Sequence, residues 1–393
     1  MAAICKGIRA AGIAAGLKKN GNPDLGLIYS ETPAAAAAVF TRNVVQAAPV
    51  MLTRRRRPSG RCQAVLVNSG NANCCTGEAG LRDAQAACAA VAEALAVPEE
   101  AVWTASTGVI GQPLPVDRIL KAVPALVKDL TPEGFPHLAT AIMTTDTEPK
   151  CVYREGRIGA QPFTIVAVAK GAGMIRPDMA TMLCFICTDA AVAADRLDGM
   201  LRHAVDRSFN RITIDGDTST NDTVILMANG ASGAAIVDAD DEALFQDLLD
   251  ASCLELAKWL VRDGEGVTKL VELSVLGAPC DADARRVADT VANSPLVKTA
   301  LFGEDANWGR ILGAAGRAGV VFDPARVDLC FDGVQMVCGG AGCGSAAEAA
   351  ATAVLQQPEL RITLDLNAGT GKASVLTCDF SLEYVRINAD YRS

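Results

Sequence analysis

The sequence predicts a mixed protein of the α/β or α+β class, on three observations. Short apolar runs alternate with helix-like segments along most of the chain. Twice in succession, over 63–95 and 101–130, a strand-like run enters a glycine-bearing loop and then a helix. The 393 residues are half apolar with only 4% aromatic, enough to bury a large core in two or three domains.

Taken in order, LGLIY, AAAAAVF and APVML between residues 8 and 50 read as short strands separated by turn signals such as Gly21-Asn22-Pro23. Gln63–Asn68 reads as a buried strand running into SGNANCCTG, and the Ala-rich stretch 78–95 as a helix ending before Pro98. Ala101–Ser106 predicts a strand, Thr107–Gly111 a turn with Gly at positive φ or an oxyanion-binding loop, and 116–130 a helix. Residues 135–146 look helical and end in the hydroxyl cluster TTDT. Strands are expected at Cys151–Arg154, Phe163–Ala169, Met182–Cys187 and Ile212–Ile214, with a helix over 194–207. Leu244, Leu248, Leu249, Leu256, Leu260 and Val261 trace one face of a helix over 241–261. Glu265, between two glycines, reads as a solvated carboxylate in a polar turn. From about Leu270 strands and helices alternate again, with a helix near 282–292, and the tail from Glu383 to Ser393 reads as strand-like.

Composition narrows the chemistry. The net charge of −9 argues against a broad nucleic-acid surface, and Arg54–Arg57 reads as a solvated basic turn. No run of 18 apolar residues predicts a membrane span, and Lys6, Arg9 and Lys18 interrupt the N-terminal apolar patches, against a secretory signal. Fourteen cysteines without such a signal suggest thiols in a reducing compartment. Cys184 and Cys187 have C-x-x-C spacing, but strand alternation points them to opposite faces. Only His137 and His203 are present, so a multi-histidine metal site is all but excluded and no metal is expected. Asp215–Asp222 lacks the spacing and closing Glu of a cation loop. Thr181, at the mouth of the run from Met182, reads on propensity as a strand former. Nucleophilic catalysis in such a chain needs a base other than histidine.

Nearly the whole chain, however, resembles the ornithine acetyltransferase family. The likeness runs through AAGIAAGLK, AAPV, VNSGNANCCTG, ASTGVIG, IMTTDTEPK, KGAGMIRPDMATML, DGDTSTND, VRDGEGVTK, GEDANWGRI and YVRINADY, in the family's order. KGAGMIRPDMATML is the most specific of them. The resemblance implies layered β-sheets flanked by helices in an N-terminal-nucleophile-like fold, with a smaller second domain at roughly 270–393. It implies self-cleavage between Ala180 and Thr181 into an α fragment, 1–180, and a β fragment, 181–393, associated as α2β2 in the cytoplasm.

A hydroxyl nucleophile needs a base within reach. Cleavage would free the α-amine of Thr181, whose reference pKa of about 7.7–8.0 suits that task. By resemblance, Thr181 takes acetyl from N2-acetyl-L-ornithine and passes it to L-glutamate, with Thr107 and Gly108 as oxyanion hole. Thr144, Lys170, Thr181, Glu265, Asn388 and Ser393 are the implied substrate contacts; Ser393 keeps the hydroxyl of the family's usual C-terminal Thr. No cofactor is implied. Acetyl-CoA as a further donor stays open, since no CoA fingerprint is legible. The competing enzyme reading is an aminopeptidase or amidase of the same fold, with water as acyl acceptor.

Overall fold

The computed structural model describes residues 4–176 and 182–390. The chain divides into two compact units, one comprising residues up to Asn210 and Asp217–Leu260, the other Arg211–Gly216 and Val261–Tyr391.

The first unit contains β1 (Ile8–Ile13), β2 (Leu25–Phe40), α1 (Ala48–Arg56), β3 (Arg61–Asn71), α2 (Gly77–Leu95), β4 (Val102–Val109), α3 (Val116–Lys128) and α4 (Phe135–Ile142). It continues with β5 (Lys150–Ile158), β6 (Gln161–Lys170), β7 (Leu183–Thr188), α5 (Ala194–Arg207), β8 (Thr223–Ala228) and most of α6 (Ala239–Arg262). Its eight-stranded sheet has the order β4-β3-β2-β8-β7-β6-β5, with β1 also paired to β2. The long β2 changes partners along its length. Residues 25–30 pair with β1 and 35–40 with β8, while β3 pairs with 25–29 and again with 34–35, its register shifting between Tyr29 and Ala34, around Pro33. A proline that cannot donate to the ladder belongs at such an irregularity.

The resulting sheet is curled. Trp103 and Val65 from one half share a core with Val166, Phe185 and Ile225 from the other, and Phe135, Leu138 and Ile142 of α4 fill the space between them. A second apolar layer packs α2 and α3, through Leu81, Cys88, Val91, Ile119 and Val123, on Leu25, Leu27 and Leu66.

In the second unit, β9 (Leu270–Ala278) lies parallel to β13 (Glu359–Asp365) and antiparallel to β14 (Gly371–Cys378). With β10 (Asp328–Phe331), β11 (Val334–Cys338) and β12 (Ala341–Gly342) they form a six-stranded sheet, order β12-β11-β10-β13-β9-β14. The helices α7 (Asp281–Ala292), α8 (Pro295–Phe302), α9 (Trp308–Gly316) and α10 (Ser345–Leu355) contribute to its core, and α11 (Leu382–Asp390) follows β14. No helix among the described residues is long and apolar enough to cross a membrane.

Several local expectations are corrected. APVML opens α1, with Pro49 in the first turn, where its missing N–H costs nothing. Arg54–Arg57 closes α1 rather than forming a turn; Arg54 and Arg55 are exposed, Arg54 lying over the Phe40 ring, while Arg56 donates to the Val102 carbonyl and pairs with Glu99, and Arg57 pairs with Asp198. Basic side chains here also suit the negative end of the α1 dipole. Thr107 and Gly108 lie inside β4, which runs on to Val109. Ile212–Ile214 makes only an isolated bridge, Ile212 to Leu376. On α6, Leu244 faces out at 39% exposure, and Phe245, Leu249, Cys253, Leu256 and Leu260 are the buried stripe. The tail through Asp390 is helix rather than strand. Its start is fixed by Ser381, whose hydroxyl accepts from the Tyr384 N–H as an N-cap does.

Candidate active site

The first cluster is assembled where several strands of the curled sheet end. Lys170, the last residue of β6, pairs with Leu183 at the start of β7; Leu183 pairs with Thr223 at the start of β8, and Thr223 with Phe40 at the end of β2. Lys170 is 3% exposed. Its ammonium donates to the Thr144 hydroxyl at 2.8 Å and to the Thr107 hydroxyl at 3.2 Å. Thr107 belongs to β4, which four other strands separate from β6 in sheet order, and Thr144 follows α4. The curl of the sheet around α4 therefore brings the three residues together.

A buried carboxylate holds this arrangement. Asp146 accepts from the Thr144 N–H at 3.0 Å, from the Gly171 N–H at 2.7 Å and from the Lys150 ammonium at 2.9 Å. The side chains of Lys150 and Asp146 are fully buried. Burial pushes the Asp146 carboxyl up, but the charges of Lys170 and Lys150 and the two backbone N–H donors outweigh it and hold it below the usual carboxylate range. Asp146 thus fixes the residues on either side of the site: the Thr144 backbone directly, and Lys170 through the next residue's N–H and through its charge. The sequence reading passed over it as part of a hydroxyl cluster. The only available signal was a carboxylate four residues before a lysine inside TTDTEPK.

Gly108 is held at φ +134°, and a Cβ there would lie 2.3 Å from the Gly70 carbonyl carbon. Only glycine fits so close to another backbone. The polar run before β8 is locked onto the same strand ends. The Asn221 carboxamide donates to Ser106 O at 2.8 Å and Ala72 O at 2.7 Å, and the Ser106 hydroxyl donates to Asn68. Asn221 thus ties these strand ends together. Among the described residues no cluster of His, Cys, Asp or Glu is arranged to hold a metal ion. The next residue, Asp222, accepts from the Met182 N–H at 3.0 Å.

The second cluster belongs to the second unit. Glu265 is 7% exposed rather than solvated, and its Oε2 accepts from the Asn388 carboxamide at 2.8 Å. Asn388 also donates to Tyr384 O, one turn earlier on α11. The Ser381 hydroxyl donates to Gly266 O at 2.6 Å, so one helix anchors the Glu265 turn at two points. Gly266 has φ +66°, and a Cβ there would lie 2.5 Å from the Tyr384 nitrogen.

Of the residues singled out from sequence, Lys170, Thr107 and Thr144 are thus hydrogen-bonded together, with Gly108 adjoining Thr107, and Glu265 and Asn388 form a separate pair. Ala180, Thr181 and Ser393 lie outside the described residues.

Comparison with known proteins agrees with this pattern. The ArgJ family model matches residues 9–393. The chain is 53% identical over 390 residues to the arginine biosynthesis bifunctional protein ArgJ of Geobacter sulfurreducens, covering 99% of each chain. It is 52% identical over 381 residues to the ArgJ protein of Syntrophotalea carbinolica, covering 96% of this chain and 97% of that one. Among solved structures, the crystal structure of ArgJ from Bacillus halodurans aligns at TM-score 0.50 and 40% identity, covering 53% of this chain and 98% of the solved one. A match of this identity over essentially the full length leaves no alternative assignment: the chain belongs to the ArgJ family.

Proposed function

We propose that this protein is a self-cleaving acetyltransferase of arginine biosynthesis that moves the acetyl group of N2-acetyl-L-ornithine to L-glutamate through an acetyl-threonine at Thr181. The observation that carries the reading is the buried Lys170–Thr107–Thr144 cluster, built on a β6 residue whose strand partner, Leu183, stands two positions after Thr181.

On this reading the Thr181 hydroxyl first attacks the Ala180 carbonyl. Hydrolysis of the ester frees the Thr181 α-amine, which then serves as base for its own hydroxyl. In the acetyl cycle Oγ attacks the acetyl carbonyl, the tetrahedral intermediate expels ornithine, and the amine of glutamate attacks the acetyl-enzyme. The Thr107 hydroxyl and the Gly108 N–H take up the developing oxyanion. Lys170, Thr144, Glu265, Asn388 and Ser393 are substrate contacts. Lys170 suits an α-carboxylate and Glu265 the side-chain ammonium of ornithine. The fragments 1–180 and 181–393 stay associated as α2β2, in the cytoplasm, and the cycle needs no metal or cofactor. Acetyl-CoA is a further donor to be tested in the same assay.

Purified wild type should run as two bands on denaturing electrophoresis and Thr181→Ala as one, with loss of acetyl transfer from acetylornithine to glutamate. An uncut wild type with full activity would sink the mechanism. Release of free acetate in place of acetylglutamate would assign the chain to hydrolysis instead.

A further inference from the structure

The stretch AAGIAAGLK ends in a lysine that has no task in the cycle above. Lys18 belongs to the first unit and follows β1 in the segment that leads to β2. A buried carboxylate shapes that segment. Asp24 accepts from the N–H groups of Ala15 at 2.6 Å, of Leu17, and of Lys18 at 2.8 Å, and its carbonyl takes the Ser69 N–H of β3 at 2.9 Å. The Lys18 side chain is thereby laid beside the candidate oxyanion hole. Gly70 pairs with Gly108 across β3 and β4, and a Cβ on Gly70 would stand 3.1 Å from Lys18 Cγ.

The half-buried ammonium of Lys18 donates to Pro23 O at 2.7 Å, its one hydrogen-bond acceptor among the described residues. Two of its three N–H groups are left for another acceptor. Burial pushes this ammonium below the usual lysine range; the Asp24 carboxylate opposes that, the Lys170 charge adds to it, and Asp146 opposes it. Lys18 and Lys170 are therefore near enough to repel each other. Like charges gathered at a site destabilise it when empty and strengthen its hold on an anion.

Counting charges on the two substrates assigns the second cation. Both bring an α-carboxylate, which suits Lys170. Only glutamate brings a second carboxylate; ornithine brings an ammonium, which Lys18 repels. We propose that Lys18 is a specificity-determining residue: its ammonium takes the side-chain carboxylate of the glutamate that accepts the acetyl group. This rests on the reading of glutamate as acceptor. A lysine at the edge of the site can let go of Pro23 O and reach an anion, whereas Lys170, with two hydroxyl partners and 3% exposure, is fixed.

Lys18→Met keeps the aliphatic stem and removes the charge. In the full-length protein, acetyl transfer from acetylornithine is measured with glutamate, and with glutamine as acceptor or competitor, beside thermal melting. KM for glutamate should rise about 10–100-fold, with KM for acetylornithine and the melting temperature as in wild type, and Lys18→Arg should recover most of the loss. Glutamine keeps the α-carboxylate but lacks the second one, so Lys18→Met should handle it as wild type does, and the preference for glutamate should fall by the same factor. A KM for glutamate within about threefold of wild type would overturn the assignment. So would an equal loss with glutamine or an equal rise in KM for acetylornithine, either of which makes Lys18 a holder of the shared carboxylate. A melting temperature lower by more than about 5 °C in both variants would overturn it too, reducing Lys18 to a counter-ion of Asp24. A wild type that transfers no acetyl to glutamate overturns the proposed activity instead, whatever Lys18→Met does.

Discussion

Asp146→Asn tests the electrostatics that hold the first cluster. The substitution keeps the shape of the side chain but removes the charge that faces Lys150 and Lys170. Lys150 and Asp146 have fully buried side chains 2.9 Å apart, so solvent screening does not soften the loss. Breaking a buried pair by neutralising one partner costs about 3–5 kcal/mol, which in a unit of this size lowers the melting temperature by roughly 6–20 °C.

The pH dependence gives the sharper test. In the folded protein Asp146 is held below the usual carboxylate range. Its stabilising contribution is therefore fully present above the unfolded carboxylate pKa of about 3.9 and is lost as pH falls through the lower folded value. The gap between wild type and Asp146→Asn should be widest near neutrality and should close as the medium becomes more acidic than that. Differential scanning calorimetry of both proteins across this range measures it. A gap of less than about 2 °C at neutral pH, or one that persists unchanged in acid, would refute the electrostatic account and leave only a lost shape fit.

Other expectations follow from single contacts. Thr107→Val removes the hydroxyl hydrogen-bonded to Lys170 while keeping the β-branched shape, and should lower kcat for acetyl transfer by about 10²–10³-fold; a change under threefold would remove Thr107 from the oxyanion hole. Gly266→Ala places a Cβ 2.5 Å from the Tyr384 nitrogen at φ +66°. It should cost about 1–3 kcal/mol in strain and, by moving α11 away from the Glu265 turn, raise KM for acetylornithine more than it lowers kcat. Steady-state kinetics at saturating glutamate checks this, and an unchanged KM would remove the Glu265–Asn388 pair from substrate binding.

Local structure was most legible where burial follows a regular period. The helix over 194–207 matches α5, and that over 78–95 matches α2 to within a residue, because their apolar residues recur at helical spacing. The strand readings at 63–68 and 163–169 coincide with β3 and β6 for the same reason. Misreadings fell where residue type and context disagree. APVML is rich in strand-compatible apolar residues, yet Pro49 starts a helix there. The tail has no buried stripe at all: Leu382 and Val385 are 79% and 64% exposed, so α11 offers no periodic signal, and its position depends on Ser381 and Asn388 reaching the Glu265 turn.

By itself the sequence determined the class of the fold, most of its elements and, through its motifs, the family and the residues on which the proposed chemistry depends. Short-range rules suffice for elements, since a helix or strand is stabilised by neighbours a few positions apart. Only the tertiary structure decided which of those residues touch. The contact of Lys170 with Thr107 spans 63 positions and joins strands that are not neighbours in the sheet. It exists because β2 changes partners near Pro33 and the sheet curls around α4. The same folding buries Asp146 between two lysines, and that environment is not written in local sequence, because burial and charge at a point are sums over distant segments.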